Sequence, residues 1–311
     1  MILKIDRLPI ELPEPDAPNP NAAAAVQELL GGKFGEMSTL MNYPFQSFNF
    51  RGRNRLRPFY DLISNIAAEE YSHIEMVSAT INLLLTGATK RADRNKTSTT
   101  TAKKGNGGTA PLEKALDARN SYHFIASGQT ALPMDSHGNP WTGANVFSSG
   151  NLKLDLLHNF FLECGARANK MRVYEMVSDP TARAMVGFLL VRGGVHIVAY
   201  ARALEKLTGV PVSGLLPIPD VSNKKFPEAK IHEDKGLHTK LFRFSPHDYN
   251  RIGEIWNGPH PEDGQELTVT DEIPEGAPWP DFDEEPQLVA PGVDPDMIKH
   301  FAKKMDFAAA A

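Results

Sequence analysis

Glu70 and His73 are the residues whose types and spacing first indicate chemistry in this chain. They lie three positions apart in the run Ala68-Glu69-Glu70-Tyr71-Ser72-His73. Residues three apart project from the same face of a helix, so both side chains could bind one ion. Bundles that bind two metal ions through carboxylates present ligands to their interior in this Glu-x-x-His spacing. Because the spacing is common by chance, it indicates a metal site only if further ligands converge on it.

Three more potential ligands lie in apolar or glycine-rich surroundings: Glu36, Glu163 and His196. A single ionised glutamate in such surroundings is costly to bury. Several carboxylates at one level would repel each other unless cations neutralise them. Together with Glu70 and His73, these residues favour a buried site in which three carboxylates and two imidazoles bind two divalent cations.

Each residue also has an explanation without metal. Glu36 taken alone is more typical of the surface of an amphipathic helix, and Glu163 could pair with Arg167 on a solvated face. His196 taken alone is more typical of a hydrogen-bonded core histidine, and we expect His158 to be structural. The coincidence of these residue types near the middle of four predicted helices favours the metal site.

Four long helices are predicted to position these side chains. Asn21 and Pro58 are favoured residues at helix starts, and glycines or prolines follow each predicted helix end. The connection between the second and third helices is long, whereas the other two are short. This is an all-α fold class, a ferritin-like four-helix bundle with one long crossover. The predicted helices span residues 21–50, 58–85, 151–178 and 181–207.

The chain is predicted to divide into an arm, a bundle and a tail. Prolines in residues 1–20 predict an extended N-terminal arm. The bundle occupies residues 21–211, and residues 212–311 form an irregular C-terminal segment. Its acidic, proline-rich end from residue 258 cannot bury enough apolar surface to fold alone. It should stay disordered or pack along a neighbouring subunit.

The crossover carries three predicted parts. Residues 86–110 are rich in Lys, Thr and Gly and indicate a flexible insertion. A short helix is expected at 112–118, and an ordered loop at 119–149.

Composition excludes several classes of function. The formal net charge is −5, so neither nucleic acid nor an anionic membrane surface is an expected partner. Cys164 is the single cysteine, which excludes an intramolecular disulfide and a multi-thiolate metal site. No uninterrupted apolar run approaches the roughly 20 residues that span a bilayer, and the N-terminus lacks the features of a signal peptide. We therefore expect a cytoplasmic protein.

Five segments resemble the manganese catalase family closely, and the resemblance covers roughly residues 1–257. They are 21–27, 30–43, 69–75 (Glu69-Glu70 with His73-Ile74-Glu75), 159–167 and 190–196. The resemblance implies a homohexameric enzyme that converts hydrogen peroxide to water and dioxygen. It also implies two manganese ions with bridging solvent in each subunit. One peroxide would be reduced as both ions go from Mn(II) to Mn(III), and a second would be oxidised on their return.

The resemblance also implies which residue does what. Glu70 would bridge the two ions, Glu36 and His73 would complete one, and Glu163 and His196 would complete the other.

Two outer residues follow from the same resemblance. Gly193 stands three before His196, so the fourth carboxylate of many di-iron bundles is absent. This resembles the branch of the family that has a glycine here and a lysine at Lys170. Tyr43 corresponds to a tyrosine beside the ligands. Glu70, Lys170 and Tyr43 are therefore the expected catalytic residues.

Two other functions stay open at this stage. A di-iron ferritin-like oxidase or peroxidase would use a reducing cosubstrate, and ligand type alone does not exclude iron. A catalytically silent structural homologue, such as a coat or stress protein, would keep the bundle without turnover. Asp61 and Asn65, one turn apart, could belong to a calcium site as in some relatives. We favour a solvated helix face for them.

Overall fold

Helices dominate the structure, a computed structural model that describes residues 6–86, 117–128, 130–216, 220–280 and 295–309. The predicted insertion at 86–110 and the short helix predicted at 112–118 lie almost entirely outside these residues. The helices are α1 (Pro20–Gly31), α2 (Glu36–Phe48), α3 (Arg57–Thr86), α4 (Tyr122–Ile125), α5 (Leu152–Met176), α6 (Pro180–Thr208), α7 (Pro227–Glu233) and α8 (Pro295–Ala309). The strands are β1 (Arg7–Leu8), β2 (Lys240–Phe242), β3 (Thr268–Thr270) and β4 (Ala277–Pro278).

Three of the four predicted long helices are confirmed to within two residues at each end, as α3, α5 and α6. Residues near the helix ends explain where these helices begin and end. The Asn151 side chain accepts hydrogen bonds from the first backbone N–H groups of α5, and Asp179 does the same for α6. Gly209 ends α6 in the left-handed region at φ 74°, where glycine carries no steric penalty.

The first predicted helix is wrong as a single element, because it is two helices separated by residues 32–35. A Cβ atom on Gly31 would lie 2.3 Å from the backbone nitrogen of Met134, so the crossover passes against the end of α1. Gly35 is extended, at φ −81° and ψ 171°, and begins a new helix. As a result Glu36 is the first residue of α2 rather than a mid-helix residue. Its carboxylate lies at the positive end of the α2 dipole.

Helix α6 is the central helix of the bundle. By length and composition it is the one described helix apolar enough to cross a membrane. However, 94% of its most apolar stretch is buried inside the protein. Its apolar character is therefore explained by contacts with the surrounding helices, as expected of a core helix.

The C-terminal segment packs on its own bundle through residue 280, which corrects the prediction for 258–280. Strand β2 pairs in parallel with β3, and β4 pairs antiparallel with β1 of the N-terminal arm. Trp256, which is 1% exposed, donates from Nε1 to the carbonyls of Thr239 and Thr268. The existing bundle supplies the apolar surface that this acidic segment lacks by itself. Contact with a neighbouring subunit stays a prediction.

Side-chain hydrogen bonds hold the described part of the crossover, the connection between α3 and α5, against α1 and α2. Gln27 Nε2 donates to the carbonyls of Leu132 and Met134, at 2.7 and 2.8 Å. Farther along, Asn42 Nδ2 donates to the carbonyl of Asn145. The ordered loop predicted for this region therefore covers the side of the bundle on which Glu36 lies.

Candidate metal centre

All five predicted metal ligands converge in the interior of the bundle. Each has 0 or 1% of its surface exposed. They come from four elements: Glu36 starts α2, Glu70 and His73 lie on α3, Glu163 lies on α5 and His196 on α6.

The ligand atoms form two groups that share one residue. Glu36, Glu70 and His73 offer one nitrogen or oxygen each, all within 4.8 Å of one another. Glu70, Glu163 and His196 do the same. Among the described residues, these are the only sets of three such side chains close enough to hold an ion.

The imidazole Nδ1 atoms face the shared carboxylate from two sides. His73 Nδ1 lies 3.2 Å from Glu70 Oε2, and His196 Nδ1 lies 2.6 Å from Glu70 Oε1. The same two nitrogens lie 3.7 Å from Glu36 Oε2 and 3.4 Å from Glu163 Oε1. The two rings are nearly parallel, with centroids 5.6 Å apart. This arrangement can present two ligand sets on either side of Glu70.

Lys170 lies beside the centre, as the resemblance implies. Its Nζ is 2.8 Å from Glu36 Oε1, and the side chain is 1% exposed. A Cβ atom on Gly193 would lie 3.5 Å from this Nζ, in ordinary van der Waals contact, so any longer side chain at this position would extend toward the ammonium group. Burial lowers the pKa of Lys170, but Glu36 and Glu163 outweigh burial and raise it. The ammonium form is therefore the stable one.

Tyr43 contacts the ligand set directly. Its hydroxyl donates to Glu163 Oε1 at 2.5 Å, and burial together with Glu163 raises the pKa of the phenol well above its usual value. The protonated phenol can thus orient one oxygen of Glu163. Thr39, which sequence reasoning missed, donates from Oγ1 to Glu70 Oε2 at 2.8 Å. Its position three after Glu36, on the same helix face, was the available signal.

Glu69 and Arg192 were also missed, and both are buried behind the imidazoles. Glu69 Oε2 lies 3.2 Å from His196 Nε2, and Arg192 Nε donates to Glu69 Oε1 at 2.5 Å. Glu69 lies four before His73, and Arg192 lies four before His196. These one-turn spacings place each residue on the face of its neighbouring imidazole and could have identified them.

The centre has a deficit of positive charge. Four buried carboxylates, those of Glu36, Glu69, Glu70 and Glu163, face two buried basic side chains, Lys170 and Arg192. Two negative charges are left for the imidazoles or for bound cations to balance.

Shifted pKa values reflect this deficit. Burial lowers the pKa of His73, but Glu70 and Glu36 outweigh it and raise the value to about 9. Burial also lowers the pKa of His196, but the negative charges of Glu69 and Glu70 outweigh burial and raise it. Burial and the neighbouring Glu70 both raise the pKa of Glu163. The site therefore favours added positive charge, which divalent cations would supply.

The donor set fits manganese. Carboxylate oxygens and imidazole nitrogens without thiolates suit a hard divalent ion. Oε2 of Glu163 is buried and has no hydrogen-bond partner within the described part of the chain. A buried carboxylate oxygen left without a donor is costly unless a cation binds it.

The structure contradicts the metal-free explanation of Glu163. Glu163 is buried, and Arg167 instead donates to backbone carbonyls, those of Asp220 at 2.8 Å and Leu190 at 3.0 Å. The arginine therefore fastens the segment after α6 to the bundle. His158 stacks on Phe147, which agrees with a structural role.

The solvated helix face expected for Asp61 and Asn65 is wrong, because both side chains are fully buried. Asp61 pairs with Arg57 at 2.5 Å and accepts from the backbone N–H of Arg251. Asn65 exchanges hydrogen bonds with the backbone at residues 242 and 244. The two side chains hold the C-terminal segment on α3.

Comparisons with known proteins show to which family the chain belongs. The chain matches the model of the family described as manganese containing catalase over residues 1–309. A manganese catalase from Bacillus subtilis is 35% identical over 207 residues, which span 66% of this chain and 71% of that protein. One from Lactiplantibacillus plantarum is 29% identical over 232 residues, or 74% of this chain and 81% of that protein.

A solved structure is similar as well. The crystal structure of wild-type KatB, a manganese catalase from Anabaena, has a TM-score of 0.50 and 26% identity to this chain. The match covers 67% of this chain and 81% of that one. These relatives do not favour a di-iron oxidase or a silent structural homologue. The chain therefore belongs to the family of manganese-containing catalases, enzymes that disproportionate hydrogen peroxide to water and dioxygen.

Proposed function

We propose that the centre holds two manganese ions and that Glu70 would be a ligand to both. Glu36 and His73 would complete the set for one ion, and Glu163 and His196 the set for the other. The observation that carries this proposal is the pair of three-residue groups that share Glu70. A single-ion site would not need a second complete group on the opposite side of the same carboxylate.

Two manganese ions supply a two-electron store when bound, alternating between Mn(II) and Mn(III), which matches the two electrons that each peroxide exchanges. The residues of this chain would hold the two ions in a site that is largely excluded from solvent. The five ligands are almost fully buried, so water has little access to them. Tyr43 and Thr39 orient the carboxylates of Glu163 and Glu70 by donating to one oxygen of each.

Lys170 and Glu36 are the pair suited to hold a transferable proton. The 2.8 Å contact between Lys170 Nζ and Glu36 Oε1 lies at the edge of the ligand set. Disproportionation requires that protons leave one peroxide and reach the oxygens of the other. An ammonium beside a carboxylate can hold a proton within reach of the reacting oxygens.

Two measurements on the purified protein test the assignment. Elemental analysis should find two manganese ions per chain, and an oxygen electrode should record dioxygen from peroxide without a reducing cosubstrate. Bound iron, or a requirement for a reductant, would indicate the di-iron alternative instead. Manganese without oxygen evolution would indicate a silent homologue.

Replacing the bridging carboxylate is the sharpest mutational test. Glu70→Ala should abolish both manganese binding and oxygen evolution, because each ion loses a ligand. Asp155→Asn is a suitable control, since Asp155 is a buried carboxylate that binds Ser149 rather than the centre. Full activity in Glu70→Ala would contradict the assignment.

We also propose that the chain self-associates, and the family resemblance implies six copies. Leu154, Leu157 and Phe161 are 50, 54 and 63% exposed and follow one face of α5. Apolar surface of this kind is typical of a protein interface. Sedimentation velocity should therefore give the mass of a hexamer, and a single-copy mass would oppose the proposal.

We also propose a cellular location, and one further cation site stays open. A cytoplasmic location is supported by the single cysteine, which suits a reducing compartment. Calcium at Asp61 and Asn65 stays a prediction. The contacts of Asp61 with Arg57 and with the backbone of Arg251 already engage both of its oxygens.

A further inference from the structure

One carboxylate faces the outer nitrogens of both imidazoles at the centre. Glu69 Oε2 lies 3.2 Å from His196 Nε2, within hydrogen-bond distance. Glu69 Oε1 lies 3.9 Å from His73 Nε2, an electrostatic contact that is longer than a hydrogen bond. Glu69 is 3% exposed. It directly precedes Glu70 on α3, so consecutive residues contact opposite edges of the same two rings.

Arg192 holds Glu69 in place from α6. Its Nε and Nη2 donate to the two oxygens of Glu69, at 2.5 and 3.1 Å, in the forked geometry that fixes a carboxylate plane. Its Nη1 donates to the backbone carbonyls of Leu237 and Lys240, at 2.5 and 2.8 Å. The guanidinium therefore links the centre to the segment that leads into β2.

A carboxylate in this position determines which imidazole nitrogen is free to bind metal. An ionised carboxylate only accepts hydrogen bonds, so it favours the proton on Nε2 and leaves the lone pair on Nδ1. In both rings Nδ1 is the atom that faces Glu70. Carboxylates that bind the outer nitrogen of a histidine ligand also fix the orientation of its ring.

We propose that Glu69, held by Arg192, is a positioning residue for both histidines of the metal centre. It orients His196 through a hydrogen bond, and through its charge it favours the proton on Nε2 of His73. The inference rests on the proposed function, because it assumes that His73 and His196 bind the ions. The inference goes beyond the proposed function because it adds a residue that acts through two ligands on two helices. A displaced Glu69 would disturb both ion sites together rather than one.

Glu69→Gln is the test, because glutamine keeps the shape but replaces one accepting oxygen with a donor. That donor would face Arg192 or an imidazole Nε2–H. We expect manganese affinity in equilibrium dialysis to fall about 10–100-fold for both ions. The electron paramagnetic resonance spectrum of the Mn(II) pair should change in the fraction that still binds. Arg192→Gln should act in the same direction, and Arg192→Lys, which keeps the charge but not the fork, should be milder.

Asp155→Asn and Arg167→Gln are matched controls, a buried carboxylate and a buried arginine that contact other segments. Both should keep the native affinity and spectrum even if they unfold at lower temperature. If Glu69→Gln does not fold, Arg192→Lys carries the test alone. Native affinity and an unchanged spectrum in the variant that folds would overturn the inference. Failure of the unmodified protein to bind manganese would instead overturn the proposed function.

Discussion

At the scale of single residues, the centre is governed by the cost of burying charge. Glu36, Glu69, Glu70 and Glu163 are almost fully excluded from water, and a buried carboxylate is stable only when cations or donors compensate it. Fixed basic side chains compensate two of the four charges. The other two charges must be balanced by protonated imidazoles or by bound cations, so the centre is suited to bind metal ions.

Lys170 provides a prediction at this scale. Lys170→Met keeps the length of the side chain but removes the proton beside Glu36. We expect turnover to fall by about 100-fold, the lower range for loss of a proton-transfer group, while two manganese ions stay bound. Oxygen-electrode kinetics and elemental analysis measure the two quantities. Lys153→Met, an exposed change on the same helix, is the control. Unchanged turnover in Lys170→Met would show that the proton moves elsewhere.

At the scale of elements, the break between α1 and α2 places Glu36 at a helix start. Because Gly31 has no Cβ, the crossover can approach the backbone at the end of α1. The first turn of α2 faces Glu70, to which Thr39 donates a hydrogen bond. A continuous helix would give Glu36 a different direction, so the glycines of this segment serve the geometry of the centre.

Gly31→Ala tests this role of the break. Its Cβ would lie 2.3–2.6 Å from the backbone N, O and C atoms of Met134, so the crossover or α1 must shift. We expect the free energy of unfolding to fall by about 1–3 kcal/mol, and manganese affinity to fall with it. Gly194→Ala is the matched control, because its Cβ would meet nothing within 4 Å. The control should gain up to about 1 kcal/mol from helix propensity. Equal stability of the two variants in thermal unfolding would contradict the argument.

At the scale of the whole molecule, the bundle is held to its crossover and tail by buried polar groups. His123 on α4 contacts Gln27 of α1, with its Nε2 3.0 Å from Oε1. His232 on α7 packs edge-on against Phe188 of the central helix. Burial lowers the pKa of each imidazole from 6.5 to about 4. These neutral histidines connect the outer segments to the core.

Acid stability should reflect these two histidines. Above about pH 6.5 both are neutral in the folded and unfolded chain, and their contribution is fully present. As the pH falls toward 4, only the unfolded chain takes up protons, so the free energy of unfolding decreases. His123→Gln should flatten this decrease in thermal unfolding measured between pH 6.5 and 4. His137→Gln, at an exposed position, should leave it unchanged. An identical pH slope in His123→Gln and the unmodified protein would refute the assignment.

Local sequence determined the ligand types, their spacing and three of the long helices, because periodicity, capping residues and apolar surroundings are short-range properties. It did not reveal that the backbone of Met134, more than 100 positions away, lies against Gly31 at the end of α1. Nor did it determine the pairing of Glu69 with Arg192, which joins two helices. Composition alone predicted that the acidic tail could not fold by itself, whereas the bundle supplies the apolar surface against which residues 258–280 pack. Tertiary structure decided these features because each is a contact between segments that are distant in sequence. A local sequence pattern does not determine which distant segment will pack against it.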